Sequence, residues 1–98
     1  MTLRVERVRE AEDDLLSAAS FYEAQRPGLA RRFIDAVERV VAFAAEQPLT
    51  GAPLGAAIRR HLVPGFPYAV IYELDHERVR VLAIAHLRRH PGFWLGRQ

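Results

Sequence analysis

The chain contains no cysteine, which excludes thiol catalysis, thiolate metal sites and a disulfide framework, and accords with a reducing compartment. Lysine is missing as well, since all 14 basic residues are arginine. That removes the ε-amine as a general base or Schiff-base nucleophile. Arginine suits bidentate phosphate and carboxylate contacts, but a domain wholly without lysine fits coding bias better than selection for such contacts. No apolar run approaches the roughly 18 residues that a membrane span requires, and the N-terminal stretch is charged from Arg4 onward. The expectation is a soluble, unexported, cytoplasmic protein with no membrane partner. Repeats, linkers and low-complexity tracts are also lacking, so residues 1–98 read as a single domain. Half of the residues are apolar, 50%, enough for one core without staples.

Net charge is only +2, too small to argue for nucleic acid by itself, yet it is unevenly spread. Acids crowd the first half, whereas no acid follows Glu77 against Arg78, Arg80, Arg88, Arg89 and Arg97. A basic C-terminal third on a balanced N-terminal part marks a surface for a polyanion or an acidic partner.

Residues 49–55 (Leu-Thr-Gly-Ala-Pro-Leu-Gly) separate two styles of sequence. Before them, residues 2–7 alternate as a short half-buried strand. Residues 10–25 then carry Ala11, Leu15, Ala18 and Tyr22 at helical spacing, with Glu12, Asp13 and Asp14 in the first turns, where acids complement the helix dipole. Pro27-Gly28 breaks that helix. A second helix over residues 29–46 is expected to bury Leu29, Phe33, Val37, Val40 and Ala44, and to end before Pro48. On its other face Arg31, Asp35 and Arg39 stand four apart, worth about 0.2 to 0.5 kcal/mol per pair. Neither helix shows a convincing N-cap. After the break, residues 57–63 read as a weaker strand, residues 68–74 as a strong one rich in aromatic and β-branched residues, residues 75–77 as a hairpin loop and residues 79–86 as the return strand. The order β-α-α-β-β-β describes an α+β fold, a helical hairpin packed on a mostly antiparallel four-stranded sheet.

Function is expected in residues 86–94, His-Leu-Arg-Arg-His-Pro-Gly-Phe-Trp. A loop leaving a strand end projects cations and aromatics from a rigid base. Tyr22, Phe33, Phe66, Tyr68 and Tyr72 read as packing residues, and Asp13-Asp14 as a helix-start charge feature. Arg59 and Arg60 point to opposite faces if they lie in a strand, so at most one shares a face with the C-terminal site.

Ala11, Asp14-Leu15 and Tyr22, then Pro27-Gly28-Leu29-Ala30 with Phe33, Pro48 and Gly51, follow one another in a specific order. Arg59 or Arg60, Phe66-Pro67-Tyr68 with Val70 and Tyr72, and finally His86, Arg88-Arg89, Pro91, Phe93-Trp94 and Arg97 complete it. In this order the chain resembles the toxins of the RelE/ParE superfamily of type II toxin-antitoxin modules, closest to the ParE-like, plasmid-stabilisation branch. The resemblance implies a cognate antitoxin whose C-terminal segment wraps the toxin through acidic and apolar side chains, giving a hetero-oligomer, and it implies no cofactor.

Two mechanisms are implied. A RelE-like, ribosome-dependent messenger-RNA endonuclease needs a base, a cation for the crowded phosphate and an acid. Arg59, Arg60, Arg88 and Arg89 offer the cation, His86 or His90 the acid or base, and Phe93 or Trp94 a ring to stack on a base. Such enzymes carry sheet lysines and a C-terminal tyrosine, however. Here lysine is absent and the corresponding aromatic is Phe93, which has no hydroxyl. A ParE-like inhibitor of DNA gyrase instead uses Arg88, Arg89, His90, Phe93, Trp94 and Arg97 as a docking surface, with the arginine and tryptophan types that dominate interface energies. That non-enzymatic reading is preferred. The endonuclease, with the ribosome and its message as partner, is the alternative, and an inactive or antitoxin-locked module or a small RNA-binding protein is the third. No metal is expected, because the histidines lack any recognisable ligand spacing.

Overall fold

The two helices form because apolar residues return to one side every three or four positions, and the same stripes glue them to the sheet. In α1 (Arg9–Gln25) the buried set is Ala11, Leu15, Ala18 and Ala19, and in α2 (Leu29–Glu46) it is Phe33, Val37, Val40, Val41, Ala44 and Ala45. The small side chains on α1 let its backbone lie close to α2 and to the sheet. Neither helix has a side-chain cap from its own N-cap residue. For α2 the remedy comes from α1: the Glu23 carboxylate accepts the backbone N–H of Gly28 at 3.1 Å and of Ala30 at 3.2 Å, satisfying donors that a helix start leaves free. Gly28 turns the chain there at φ 89°, a left-handed conformation that costs glycine nothing.

The computed structural model describes residues 2–97. Its strands are β1 (Arg4–Arg7), β2 (Ala52–Pro53), β3 (Ile58–Leu62), β4 (Tyr68–Asp75) and β5 (Arg78–His86), with short 3-10 turns at Pro48–Thr50 and Phe93–Arg97. The sheet order is β1-β5-β4-β3-β2. Only β1 runs parallel to its neighbour, with Arg4 opposite Arg78 and Arg7 opposite Val81. The other pairings are antiparallel. This is the expected α+β fold with one strand more than the four anticipated. The addition is β2, two residues long and ending in Pro53, which has no N–H to offer a ladder and so sits at the sheet margin.

On one face of the sheet Tyr68 meets the helices. Its ring lies 5.0 Å from Phe33, and Tyr22 and Phe66 complete an edge-to-face cluster, the packing role expected of these rings. Tyr72 and Phe33 are fully buried.

Two irregularities position the site. Ile71 faces Ala83 and Tyr72 faces Val81, so β5 carries Leu82 as an extra residue, a β-bulge. At the same point β1 leaves the sheet: its last contact is the Val8 N–H on the Val81 carbonyl, 3.0 Å. Among the described residues no strand lies beside the outer margin of β5 beyond Val81, and its polar backbone groups need other partners.

Candidate functional site

Those partners come from the two ends of the chain. Asp14 on α1 accepts the Ile84 N–H at 3.1 Å, and Arg97 donates to the carbonyl of the bulge residue Leu82 at 3.0 Å. The two side chains are also paired, Arg97 Nη1 to Asp14 Oδ2 at 2.7 Å, with side-chain exposures of only 14% and 10%. A carboxylate and a guanidinium thus continue the sheet edge where β1 stops, and in doing so tie down the C-terminal turn.

Arg89 Nη1 lies 3.8 Å from the other Asp14 oxygen. Its guanidinium carbon sits 3.7 Å from the centroid of Phe93, and that of Arg97 lies 5.0 Å from the same ring. Phe93 is therefore contacted by two cations that share one acid, a cation–π arrangement worth about 0.5 to 1 kcal/mol per contact at exposed sites. Phe93 in turn meets Trp94 edge to face at 5.3 Å.

The loop between strand and turn is closed by backbone contacts. Leu87 N–H reaches the Pro67 carbonyl and Arg89 N–H the His86 carbonyl, both at 2.9 Å. The Arg88 N–H donates to His86 Nδ1 at 3.0 Å, so in the neutral ring the proton resides on Nε2. The imidazole packs against Tyr68 at 5.1 Å. Burial, helped by the charges of Tyr22 and Asp14, pushes the Tyr68 phenol above its ordinary range.

The expected docking residues consequently divide. Arg89 and Arg97 converge on Asp14, and both guanidiniums lie over Phe93. Arg88 and His90 are exposed, and Trp94 is half-buried. Trp94 lines a recess of about 130 Å³ with Leu54, Arg60, Ala69, Ile71 and Ala85, so Arg60 is the member of the Arg59-Arg60 pair that shares the C-terminal face.

Arg59 has a different task. It donates to the carbonyls of Leu49 at 3.1 Å and Gly51 at 2.8 Å, clamping the 3-10 turn, while the Tyr72 hydroxyl donates to the Pro48 carbonyl at 2.9 Å. Gly51 is needed there, because a Cβ would stand 2.3 Å from the Tyr72 oxygen. His61 joins the same corner. It stacks on Tyr72 at 5.9 Å and holds Thr50 Oγ1 at 2.9 Å. The Thr50 hydroxyl proton is already given to the Gln47 carbonyl, so His61 Nε2 is the donor. Burial lowers the His61 pKa below 6.5. His61 lies opposite Val70 and His86 opposite Tyr68, and each ring has its own partners, so the two histidines are not brought together. The residues that an endonuclease would use are thus divided: Arg59 at the turn, Arg60 beneath Trp94, and His86, Arg88 and Arg89 at the loop. Among the described residues no three His, Asp or Glu side chains group as a metal site would.

Asp14 is the residue whose role sequence reading missed. A signal was available: it lies one position from Leu15 and three or four from Ala11 and Ala18, so it falls on the buried stripe rather than on the solvent face.

The family model described as "ParE toxin of type II toxin-antitoxin system, parDE" matches residues 5–91, ending just before the Phe93–Arg97 turn. No curated protein matches the sequence. Among solved structures, a chain of the "Chromosomal ParDE TA system from P. aeruginosa" superposes with a TM-score of 0.76 at 16% identity, covering 87% of this chain and 96% of that one. Such a likeness speaks to the fold alone.

Proposed function

From the premise that the chain belongs to the ParE toxin family of type II toxin-antitoxin systems, we propose that it binds and inhibits DNA gyrase and is neutralised by a cognate antitoxin in a cytoplasmic hetero-oligomer. No helix among the described residues is long and apolar enough to cross a membrane.

The observation that carries this reading is the division of the C-terminal loop. Arg97 and, more loosely, Arg89 hold Phe93 over Asp14, while Arg88 and His90 stand exposed beside them and half-buried Trp94 lines the adjoining recess with Arg60. A preorganised cation-and-indole surface loses little entropy on docking. The same division weighs against RNA cleavage, for Arg59 is committed to backbone carbonyls and His86 Nδ1 to the Arg88 amide.

The test is a pair of assays on purified toxin. Gyrase supercoiling should be inhibited while ribosome-bound message stays intact. Codon-phased cleavage on ribosomes with gyrase unaffected would replace this reading by the endonuclease, and inactivity in both assays would favour a module without separate activity.

A further inference from the structure

A recess of about 260 Å³ opens between α1, the end of β5 and the loop that follows it. Ser17 and Phe21 reach it from α1, where they lie on the same side as Asp14 at helical spacing. Tyr68 enters from β4, His86 from the end of β5 and Arg89 from the loop. Side chains alternate along a strand, so the two recesses of the sheet fall on opposite faces. Tyr68, Ile84 and His86 line this one, whereas Ala69, Ile71 and Ala85, of the other parity, line the Trp94 recess, with His86 and Arg89 at the shared rim.

Its polar groups are donors that lack acceptors. Among the described residues Ser17 Oγ, the Tyr68 hydroxyl and His86 Nε2 make no hydrogen bond, and Arg89 has only its 3.8 Å approach to Asp14. Because His86 Nδ1 accepts the Arg88 amide, the neutral ring presents Nε2–H. Burial holds the Tyr68 phenol in its protonated form, so it donates too. Asp14, the one acid among the lining residues, is already committed to Arg97 at 2.7 Å and to the Ile84 N–H at 3.1 Å. Arg89 is therefore a surplus positive charge. The rest of the wall is apolar, formed by Ala18, Ile84 and the ring of Phe21, which is 57% exposed. A few convergent polar groups on an apolar wall are the makings of a small-molecule site.

One cation and three neutral donors, carried by four separate segments of the chain, call for an anion with acceptors in several directions. A carboxylate offers two oxygens in one plane, and a phosphodiester offers two unesterified oxygens and one charge. A phosphate monoester offers three strong acceptor oxygens and up to two charges. The Phe21 ring and Ala18 suit a flat ring on the other side of the ester. We infer that this recess binds a small phosphate monoester carrying a flat ring, its phosphate oxygens on Arg89, His86, Ser17 and Tyr68 and its ring against Phe21. This holds independently of the toxin reading above.

Phenyl phosphate is the probe, titrated into the full-length protein by calorimetry and by amide NMR spectra. Inorganic phosphate, benzoate and a ribodinucleotide, which is a phosphodiester, are titrated beside it. Phenyl phosphate should bind most tightly and should shift the amides of Ser17, Phe21 and Ile84. The Ser17→Ala, Tyr68→Phe double variant removes two hydroxyls while keeping the helix and the Tyr68 ring, and it should lose about tenfold or more in affinity. Circular dichroism verifies that it folds. Ser17→Ala alone, at an exposed helix position, should lose about threefold and does not depend on the Tyr68 change being tolerated. Phe21→Ala should bring phenyl phosphate down toward inorganic phosphate and leave inorganic phosphate itself unchanged. The inference is overturned if phenyl phosphate does not bind, if its amide shifts fall away from the recess, or if the hydroxyl variants bind it as the wild type does. It is equally overturned if benzoate, the dinucleotide or inorganic phosphate binds as tightly, since each would remove one part of the assigned chemistry.

Discussion

Replacing Asp14 with Ala should loosen the C-terminal turn and lower the stability of the whole domain. The carboxylate accepts the Ile84 N–H and neutralises Arg97, with Arg89 nearby. Leaving a buried N–H without a partner costs about 1 to 3 kcal/mol. Stranding one member of a fully buried pair costs about 3 to 5 kcal/mol; the value here is smaller, because Arg97 keeps the Leu82 carbonyl and the Phe93 ring. A net loss of about 2 to 4 kcal/mol follows, and for a domain of this size that lowers the melting temperature by about 10 to 25 °C. Asp14→Asn retains an acceptor for Ile84 and should lose only about half as much. The assay is urea and thermal unfolding of Asp14→Ala, Arg97→Ala and the double variant, with hydrogen exchange at the Ile84 amide. The cycle should show a coupling of about 1 to 3 kcal/mol, and the Ile84 amide should exchange faster in both Asp14 variants. Additive losses, or an Asp14→Ala change within about 0.5 kcal/mol of wild type, would refute the assignment of this pair as the sheet-edge closure.

Other outcomes follow from the same geometry. Arg88→Ala should abolish gyrase inhibition with a stability change within about 0.5 kcal/mol, whereas Arg89→Ala should also cost about 0.5 to 1 kcal/mol through Phe93; supercoiling assays beside melting curves separate the two. Gly51→Ala should destabilise by about 1 to 3 kcal/mol through overpacking against Tyr72, and part of that should return in the Gly51→Ala, Tyr72→Phe double variant, which lacks the obstructing hydroxyl. For His61 the folded-state pKa lies below the ordinary 6.5, so the unfolded chain takes up the proton first. Its contribution is complete above about 6.5 and declines as pH falls through and below that value. Melting temperatures of wild type and His61→Gln should therefore differ in slope between neutral and mildly acidic pH, and parallel slopes would show that His61 is not the group responsible.

Much of the architecture was legible because it depends on local repetition. Phe33, Val37, Val40 and Ala44 recur on one side of a helix, Pro27-Gly28 breaks the helix before it, and residues 68–74 are rich in aromatic and β-branched residues; all three features reappear in α1, α2 and β4. The extra strand was not legible, since Ala52–Pro53 pairs only because β3 lies beside it.

Sequence alone also determined the chemical inventory: no thiol, no ε-amine, and a C-terminal stretch of arginines and aromatics. Only the tertiary structure decided how that inventory is divided. Arg59 and Arg60 are adjacent in the chain, yet one clamps a turn by its backbone carbonyls and the other lines the Trp94 recess. Arg88 and Arg89 separate likewise, one with no side-chain partner among the described residues and one held near Asp14. The physical reason is that each side chain's partner is set by strand register, by the Leu82 bulge and by where β1 leaves the sheet. Those features bring residues as distant as Asp14 and Arg97 to one strand edge, whereas a periodic pattern reports only which side of its own element a residue occupies.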